Sequence, residues 1–575
     1  MIGILLVLAA VALAAGAESN LLKDLKLINK VINEVYENYV DPIDTHKFVL
    51  AGIQGLLGGL DQHTVYFEPK DYEDLKTSTS GEFGGLGMVI GIRDRILTVI
   101  SPMEGTPAYR VGLKGGDKIV AIDGKPTKGM STEDAVEVLR GEPGTEVTIT
   151  IVRAGEPDPL DYNITRDIIH IDAVPFAGIV QDSIGYIRLA RFSDDAAAEV
   201  RAAVDSLERE GMKALIFDLR SNPGGLLGQA VEVASIFLTP GDMVVYTKGK
   251  SDYHYREYHS RWGSDYSNGP LVVLVNGGSA SASEIVAGAI QDHDRGIILG
   301  SRTFGKGLVQ SVIPLYDGDA LKITTAHYYI PSGRCIQKED YLDRPESVVL
   351  VPESEKEKTE EKSEDEIEGR WWEHEESIFD EEESGERIPE GAPIFYTEKG
   401  RIVYGGGGIT PDVFFESEKM SRLMVELERK GMFFDFAVEY TVEHSNIPPD
   451  FSVDEEIFDA FLHYLEESDF SYKTLVETRL EEAESTAVRL EYGEEIIKKL
   501  DELYAVVEGE KVKDFERNRE HIERSLRREI VSKLWGEDAN YQYVMLDTDS
   551  AIAKAFELLS DSDEYYSLLE PQEDE

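Results

Sequence analysis

At 575 residues the chain is too long for one ordinary hydrophobic core and should divide into several domains. Its 58 basic residues against 111 acidic ones give a formal net charge of -53, which repels phosphate backbones and anionic lipid headgroups and so excludes nucleic acid as a partner. The single cysteine, Cys335, excludes an intrachain disulfide framework and any thiolate metal cluster.

Ile2 to Ala14 is continuously apolar, and Ala15-Gly16-Ala17 follows with small residues at an A-x-A spacing. This predicts a cleaved export signal over residues 1–17 and a periplasmic location, although no Lys or Arg precedes the apolar run. The run falls short of the ~18 to 20 apolar residues of a membrane span, so no permanent span is expected; an uncleaved segment would leave the protein membrane-associated.

Leu21 to Tyr39 and Phe48 to Leu60 carry helical apolar spacing and predict an N-terminal helical segment over 18–80, with His63 as a hydrogen-bonded residue in a polar turn. From Phe83 the pattern changes to short strands broken by Gly and Asp-Gly turns: Gly84-Gly85-Leu86-Gly87-Met88, Ile96 to Ile100, Gly115-Gly116-Asp117, Ile119 to Gly124. Thr132 to Leu139 predicts a helix and Val147 to Val152 a closing strand. Residues 81–168 resemble a PDZ domain. The resemblance implies that the backbone N–H groups of Gly85, Leu86, Gly87 and Met88 hold the terminal carboxylate of a peptide whose tail adds to the sheet edge as a strand.

Ile184 to Leu189, Ala214 to Leu219, Leu271 to Val275 and Ile297 to Leu299 are short apolar runs separated by helical patterns at Asp194 to Glu210, Leu226 to Phe237 and Ser283 to Asp292. This alternation predicts a layered α/β core over 169–338. Two strand-to-helix corners carry candidate chemistry. Asn276-Gly277-Gly278-Ser279-Ala280-Ser281-Ala282-Ser283-Glu284 offers serine hydroxyls on a rigid turn at the positive end of a helix. Asp218-Leu219-Arg220-Ser221-Asn222-Pro223-Gly224-Gly225 offers unencumbered N–H groups for half of an oxyanion hole. Lys306, between two glycines and among Phe304, Leu308 and Val309, can be desolvated, which lowers an ammonium's pKa and suits it as general base to a serine. Gln310 stands close along the same segment. A Ser-His-Asp arrangement with His293 fails on distance, because His293 ends the helix that the serines begin, about 15 Å away at roughly 1.5 Å per residue. Spacing does not choose among Ser279, Ser281 and Ser283.

The order of signal, helical lead-in, PDZ-like module, D-L-R-S-N-P-G-G, N-G-G-S-A-S-A-S-E-I and T-F-G-K-G-L-V-Q resembles the C-terminal processing, or tail-specific, serine peptidases. The resemblance covers about residues 20–335 and returns at Tyr396 to Phe415. It implies a core similar to crotonase and the Clp protease, with Ser281 as nucleophile, Lys306 as general base and Gln310 orienting the lysine. It also implies an oxyanion hole from Ala282 N–H with Gly224 or Gly225, and no metal or other cofactor. The expected activity is endopeptidase cleavage near the free C-terminus of protein substrates with an accessible tail. The rival is an inactive PDZ-type binding or retention protein.

Residues 339–391 are dominated by Glu around Trp371-Trp372, a composition that predicts a mobile acidic insert. Residues 392–416 should return to the core, with Gly405 to Gly408 as a closing loop. Beyond about Glu416 the spacing is helical through Ile457, Phe461, Leu465, Ile496 and Leu500, then a basic segment Arg517 to Lys533 and a last helix Ala551 to Leu559. This C-terminal helical domain over 417–575 reads as a wrapper on the core; the alternative is a gating or dimerisation domain that would build a homo-oligomer.

Overall fold

The computed structural model describes residues 21–181, 183–261, 266, 269–338, 392–416 and 420–571. The apolar run Ile2 to Ala14 and the acidic stretch 339–391 lie outside the described residues. The described residues form two units, one comprising residues 21–72 with Gln310–Thr325, the other the remaining described residues.

In the first unit a helix runs over residues 21–38, and a second, Thr45–Gly58, starts on Asp44, whose carboxylate accepts the His46 and Lys47 N–H groups. Val65–Phe67 pairs antiparallel with Ala320–Lys322. The turn between the second helix and Val65–Phe67 is built on Asp61, which accepts the N–H groups of His63 and Thr64 and the Thr64 hydroxyl.

The second unit holds the layered core. Its sheet runs β1 (Phe176–Gln181), β2 (Ile184–Arg188), β3 (Ala214–Asp218), β4 (Leu271–Val275), β5 (Ile297–Gly300) and β6 (Val413–Phe414), neighbours in that order. β1 is antiparallel to β2 and all later pairings are parallel. Parallel strands covered on both faces have no polar side, which is why these segments read as unbroken apolar runs. On one face Leu215, Phe217, Val273 and Ile298 pack against α1 (Ala196–Arg209), α2 (Leu227–Phe237) and α3 (Ala282–Asp292). On the other Ile216, Val272, Leu274 and Leu299 pack against Ile552, Ala555 and Leu558 of α4 (Ser550–Ser560). The C-terminal segment therefore completes the core, and α4 is not the last helix, since Ser562–Ser567 follows and buries Tyr565 in the same layer.

The PDZ-like module closes on itself where Glu82–Gly85 pairs with Asp167–His170. Its six-stranded sheet packs Leu97, Val99, Ile119, Val147 and Ile149 against Ala135 and Leu139 of the helix Thr132–Leu139, which Ser131 and Asp134 cap reciprocally. Val147 to Val152 is not the closing strand: Leu160–Thr165 pairs with it along an edge where only Ile164 is buried. The C-terminal helices have their own core of Leu427, Phe433, Phe436, Phe461, Ile522 and Leu526. They also grip the far end of the PDZ-like hairpin, where Arg93 lies 5.5 Å from the Phe434 ring and Lys533 donates to the Gly115 carbonyl.

Candidate functional site

β4 ends at Asn276, whose side chain turns the chain by accepting the Gly278 N–H at 3.0 Å and the Ser221 N–H at 2.7 Å. Ser281, the residue before α3, has φ 55° and ψ -110°, a conformation that a residue with a side chain adopts only when its surroundings impose it. The three serines separate here by their partners. The Ser279 hydroxyl donates to the Leu219 carbonyl at 2.8 Å and the Ser283 hydroxyl to the Asn222 carbonyl at 2.9 Å, and both side chains are fully buried. They peg the serine corner to the corner after β3. Ser281, between them, is only half-buried.

The second corner is held by Asn222, whose amide donates to Leu189 O and whose oxygen accepts the Gly224 N–H at 2.9 Å. Gly224 has φ +96°, and a Cβ there would lie 2.8 Å from the Ser281 Cβ and from the Ala282 nitrogen, so only glycine lets the two corners meet. Among the described residues neither the Ala282 nor the Gly225 N–H donates to any acceptor. Behind this corner lies Asp218, whose carboxylate binds Tyr186, Arg188 and Arg220, with Arg220 also paired to Asp549 at 2.9 Å. Burial pushes the Asp218 carboxyl up, but the Arg220 guanidinium outweighs it and holds the group below the usual carboxylate range.

Glu284 was not singled out from the sequence, and it joins the serine corner to the lysine turn. It is fully buried and accepts four hydrogen bonds: from the Thr303 hydroxyl and Gly305 N–H on Oε1, and from the Ser281 and Lys306 N–H groups on Oε2. Burial pushes its carboxyl up to about 7 against those bonds. The S-x-x-E spacing from Ser281 was the available signal, but it reads as a helix cap. Lys306 is half-buried; of its expected apolar neighbours Leu308 is buried and Val309 half-buried, whereas Phe304 is exposed. Thr303 is in turn fixed by the Ile409 N–H at 2.6 Å, after the glycines Gly405 to Gly408.

Ser281, Ala282, Gly224 and Lys306 thus lie in one connected arrangement within the second unit. Gln310 belongs to the first unit, where its amide donates to the His63 carbonyl at 3.0 Å. His293 caps the opposite end of α3 and is bonded to the Met243 carbonyl and Glu398.

In the PDZ-like module the Leu86 and Gly87 carbonyls turn inward, accepting the N–H groups of Ala108 and Met103 and the Thr106 hydroxyl. Among the described residues the Leu86 and Gly87 N–H groups donate to no acceptor. A loop with its carbonyls used and its N–H groups unspent is suited to an anion.

Three family models match the chain: Peptidase family S41 over residues 183–342, PDZ domain over 98–153, and Probable PDZ-protease, C-terminal helical domain, over 423–559. The chain is 41% identical over 336 residues to a carboxy-terminal-processing protease of Bartonella bacilliformis, covering 58% of this chain and 77% of that one. It is 38% identical over 325 residues to a carboxyl-terminal-processing protease of Synechocystis, covering 55% and 74%. Among solved structures, a photosystem II D1 C-terminal processing protease is 34% identical with a TM-score of 0.33, covering 53% of this chain and 82% of that one. No helix among the described residues is long and apolar enough to cross a membrane.

Proposed function

Because the chain belongs to peptidase family S41 and is a carboxyl-terminal processing serine protease with a PDZ domain, we propose that it cleaves exported proteins near their free C-termini by a Ser281–Lys306 mechanism. The observation that carries this reading is the convergence of the Ser281 and Lys306 N–H groups on Glu284 Oε2, which fixes the nucleophile corner and the lysine turn to one atom.

In the proposed reaction the neutral Lys306 amine takes the proton of the Ser281 hydroxyl as its oxygen attacks the peptide carbonyl carbon. The tetrahedral oxyanion is met by the Ala282 N–H and by the Gly225 N–H; the Gly224 N–H is already committed to Asn222. Collapse breaks the C–N bond, the Lys306 ammonium returns the proton to the leaving amine, and an ester to Ser281 remains. Water, deprotonated by Lys306, releases the acid and restores the serine. Gln310 would orient the lysine amine by a hydrogen bond. The substrate's terminal carboxylate would dock on the loop Gly85-Leu86-Gly87-Met88. Export to the periplasm is part of the reading and rests on the apolar segment Ile2 to Ala14 before Ala15-Gly16-Ala17.

The test is turnover of peptides with an apolar C-terminus, free or amidated, by the purified protein and its Ser281→Ala variant. Hydrolysis lost in the variant and weakened by amidation is expected. Equal turnover by both proteins contradicts the catalytic assignment, and indifference to amidation contradicts tail recognition.

A further inference from the structure

Tyr328 lies near the end of the strand Ala320–Tyr329 and is 1% exposed. Its hydroxyl meets two carbonyl oxygens, that of Ser281 at 3.1 Å and that of Lys306. Its own N–H donates to the Gly307 carbonyl at 3.0 Å, tying the strand to the lysine turn. Burial, with the Glu284 charge nearby, holds the phenol well above its usual value, so it stays a donor throughout the working pH range.

The Ser281 carbonyl and the Ala282 N–H belong to one planar peptide unit, so a bond that fixes the direction of the C=O also fixes the direction of the N–H. A hydrogen bond accepted by the oxygen further polarises the amide and strengthens its N–H as a donor. The same carbonyl accepts the Glu284 and Ile285 N–H groups of the first turn of α3, each at 3.0 Å, and Tyr328 adds a side-chain donor to it at a residue whose φ 55° and ψ -110° lie outside the helical region. The peptide plane on the other side of Ser281 is held by Glu284 through the Ser281 N–H. Each of the two planes flanking the serine thus meets a different buried side chain, and the second is also held by the first turn of α3.

We propose that Tyr328 is a positioning residue for the reaction. Its hydroxyl braces the Ser281–Ala282 peptide plane beside the first-turn N–H groups of α3, and so trims the aim of the Ala282 N–H at the oxyanion, while the same hydroxyl ties the Lys306 turn to the serine. It touches neither the substrate nor the reacting atoms. This inference rests on the Ser281–Lys306 reading above.

The test is Tyr328→Phe in the full chain, with Tyr329→Phe as control, since the Tyr329 ring stacks on Tyr246 at 5.1 Å. Rates are read well below the melting temperature of each variant. Tyr328→Phe should lower kcat about 10- to 100-fold with KM nearly unchanged, because an oxyanion donor acts in the transition state. A peptide boronate, which forms a tetrahedral anion on the serine, should bind more weakly by about the same factor as kcat/KM falls. Tyr329→Phe should match the wild type. The inference is overturned by an unchanged kcat, by a lower kcat with unchanged boronate affinity, or by a loss that only follows the fraction of unfolded protein. Failure of the parent reading looks different: the wild type would not hydrolyse peptides, or Ser281→Ala would hydrolyse them equally well.

Discussion

The backbone N–H groups of Ser281 and Lys306, 25 residues apart in sequence, donate to the same oxygen, Oε2 of Glu284, at 2.8 and 3.0 Å. A proton can pass from the serine to the lysine only if the two corners keep their spacing. Here that spacing is set by one buried carboxylate whose four partners are all donors. Its ionised form is the one that can accept from all of them.

Glu284 should leave a pH signature. Its carboxyl, raised to about 7 by burial, has a folded value above its unfolded one and binds its proton more tightly in the fold. Its contribution to stability is therefore present at low pH and lost as pH rises through about 7. Glu284→Gln removes this titration. The stability difference between wild type and variant, from urea unfolding, should shrink by about 3 kcal/mol between about pH 4 and pH 7.5. Parallel pH curves would count against the buried-carboxylate account.

The three serines should respond in opposite ways. Ser279→Ala and Ser283→Ala each remove a buried hydrogen bond to the Leu219 or Asn222 carbonyl, which keeps the Asn222 or Ala280 N–H, and should cost about 1 kcal/mol of stability while retaining measurable turnover. Ser281→Ala should leave stability within ~0.5 kcal/mol and abolish turnover. Melting curves and initial rates on the same samples separate the two classes; an active Ser281→Ala beside an inactive Ser279→Ala would reverse the assignment.

Gly224→Ala should strike both fold and rate. The added Cβ would lie 2.8 Å from the Ser281 Cβ and 2.7 Å from the Ala280 carbonyl, at a φ of +96°. A strain of ~1–3 kcal/mol is expected, with kcat lowered at least about 100-fold because the nucleophile is displaced. Wild-type kinetics in this variant would mean that the two corners do not meet as described.

Gly87→Ala tests the module that receives the tail. A Cβ at Gly87, whose φ is +74°, would lie 2.3 Å from the Thr106 Cβ, so the loop must open. KM for peptides with a free C-terminus should rise about tenfold or more, a loss of at least ~1.4 kcal/mol of binding, while turnover of a short activated ester stays unchanged. An unchanged KM would remove the loop from substrate capture.

The strands of the core were legible because their two faces are both covered: Ile216 faces α4 and Phe217 faces α1 and α2, so no polar period interrupts the run. The PDZ-like strand Leu160–Thr165 does carry the alternation Leu160, Tyr162, Ile164 toward the module's core, but it is a short edge strand on which only Ile164 is fully buried, and the longer apolar run Val147 to Val152 reads as the end of the sheet. Ser281 could not be told from its neighbours by spacing, since the carbonyls that engage Ser279 and Ser283 lie 60 and 61 residues away in sequence. Tyr328 carried no signal, because a tyrosine in a strand reads as sheet surface until its hydroxyl is seen between two corners. Glu284 was visible only as a cap. The Gly-rich corners could be read as possible N–H donors, but the spent Gly224 N–H appears only once Asn222 is folded beside it.

The most direct measurement is the site of covalent attachment when the full chain turns over a peptide thioester and is quenched in acid before deacylation. The account predicts an acyl adduct mapped by mass spectrometry to Ser281, present in wild type and missing in both Ser281→Ala and Lys306→Ala. An adduct on Ser279, Ser283 or Cys335, or one that forms equally well without Lys306, would contradict it.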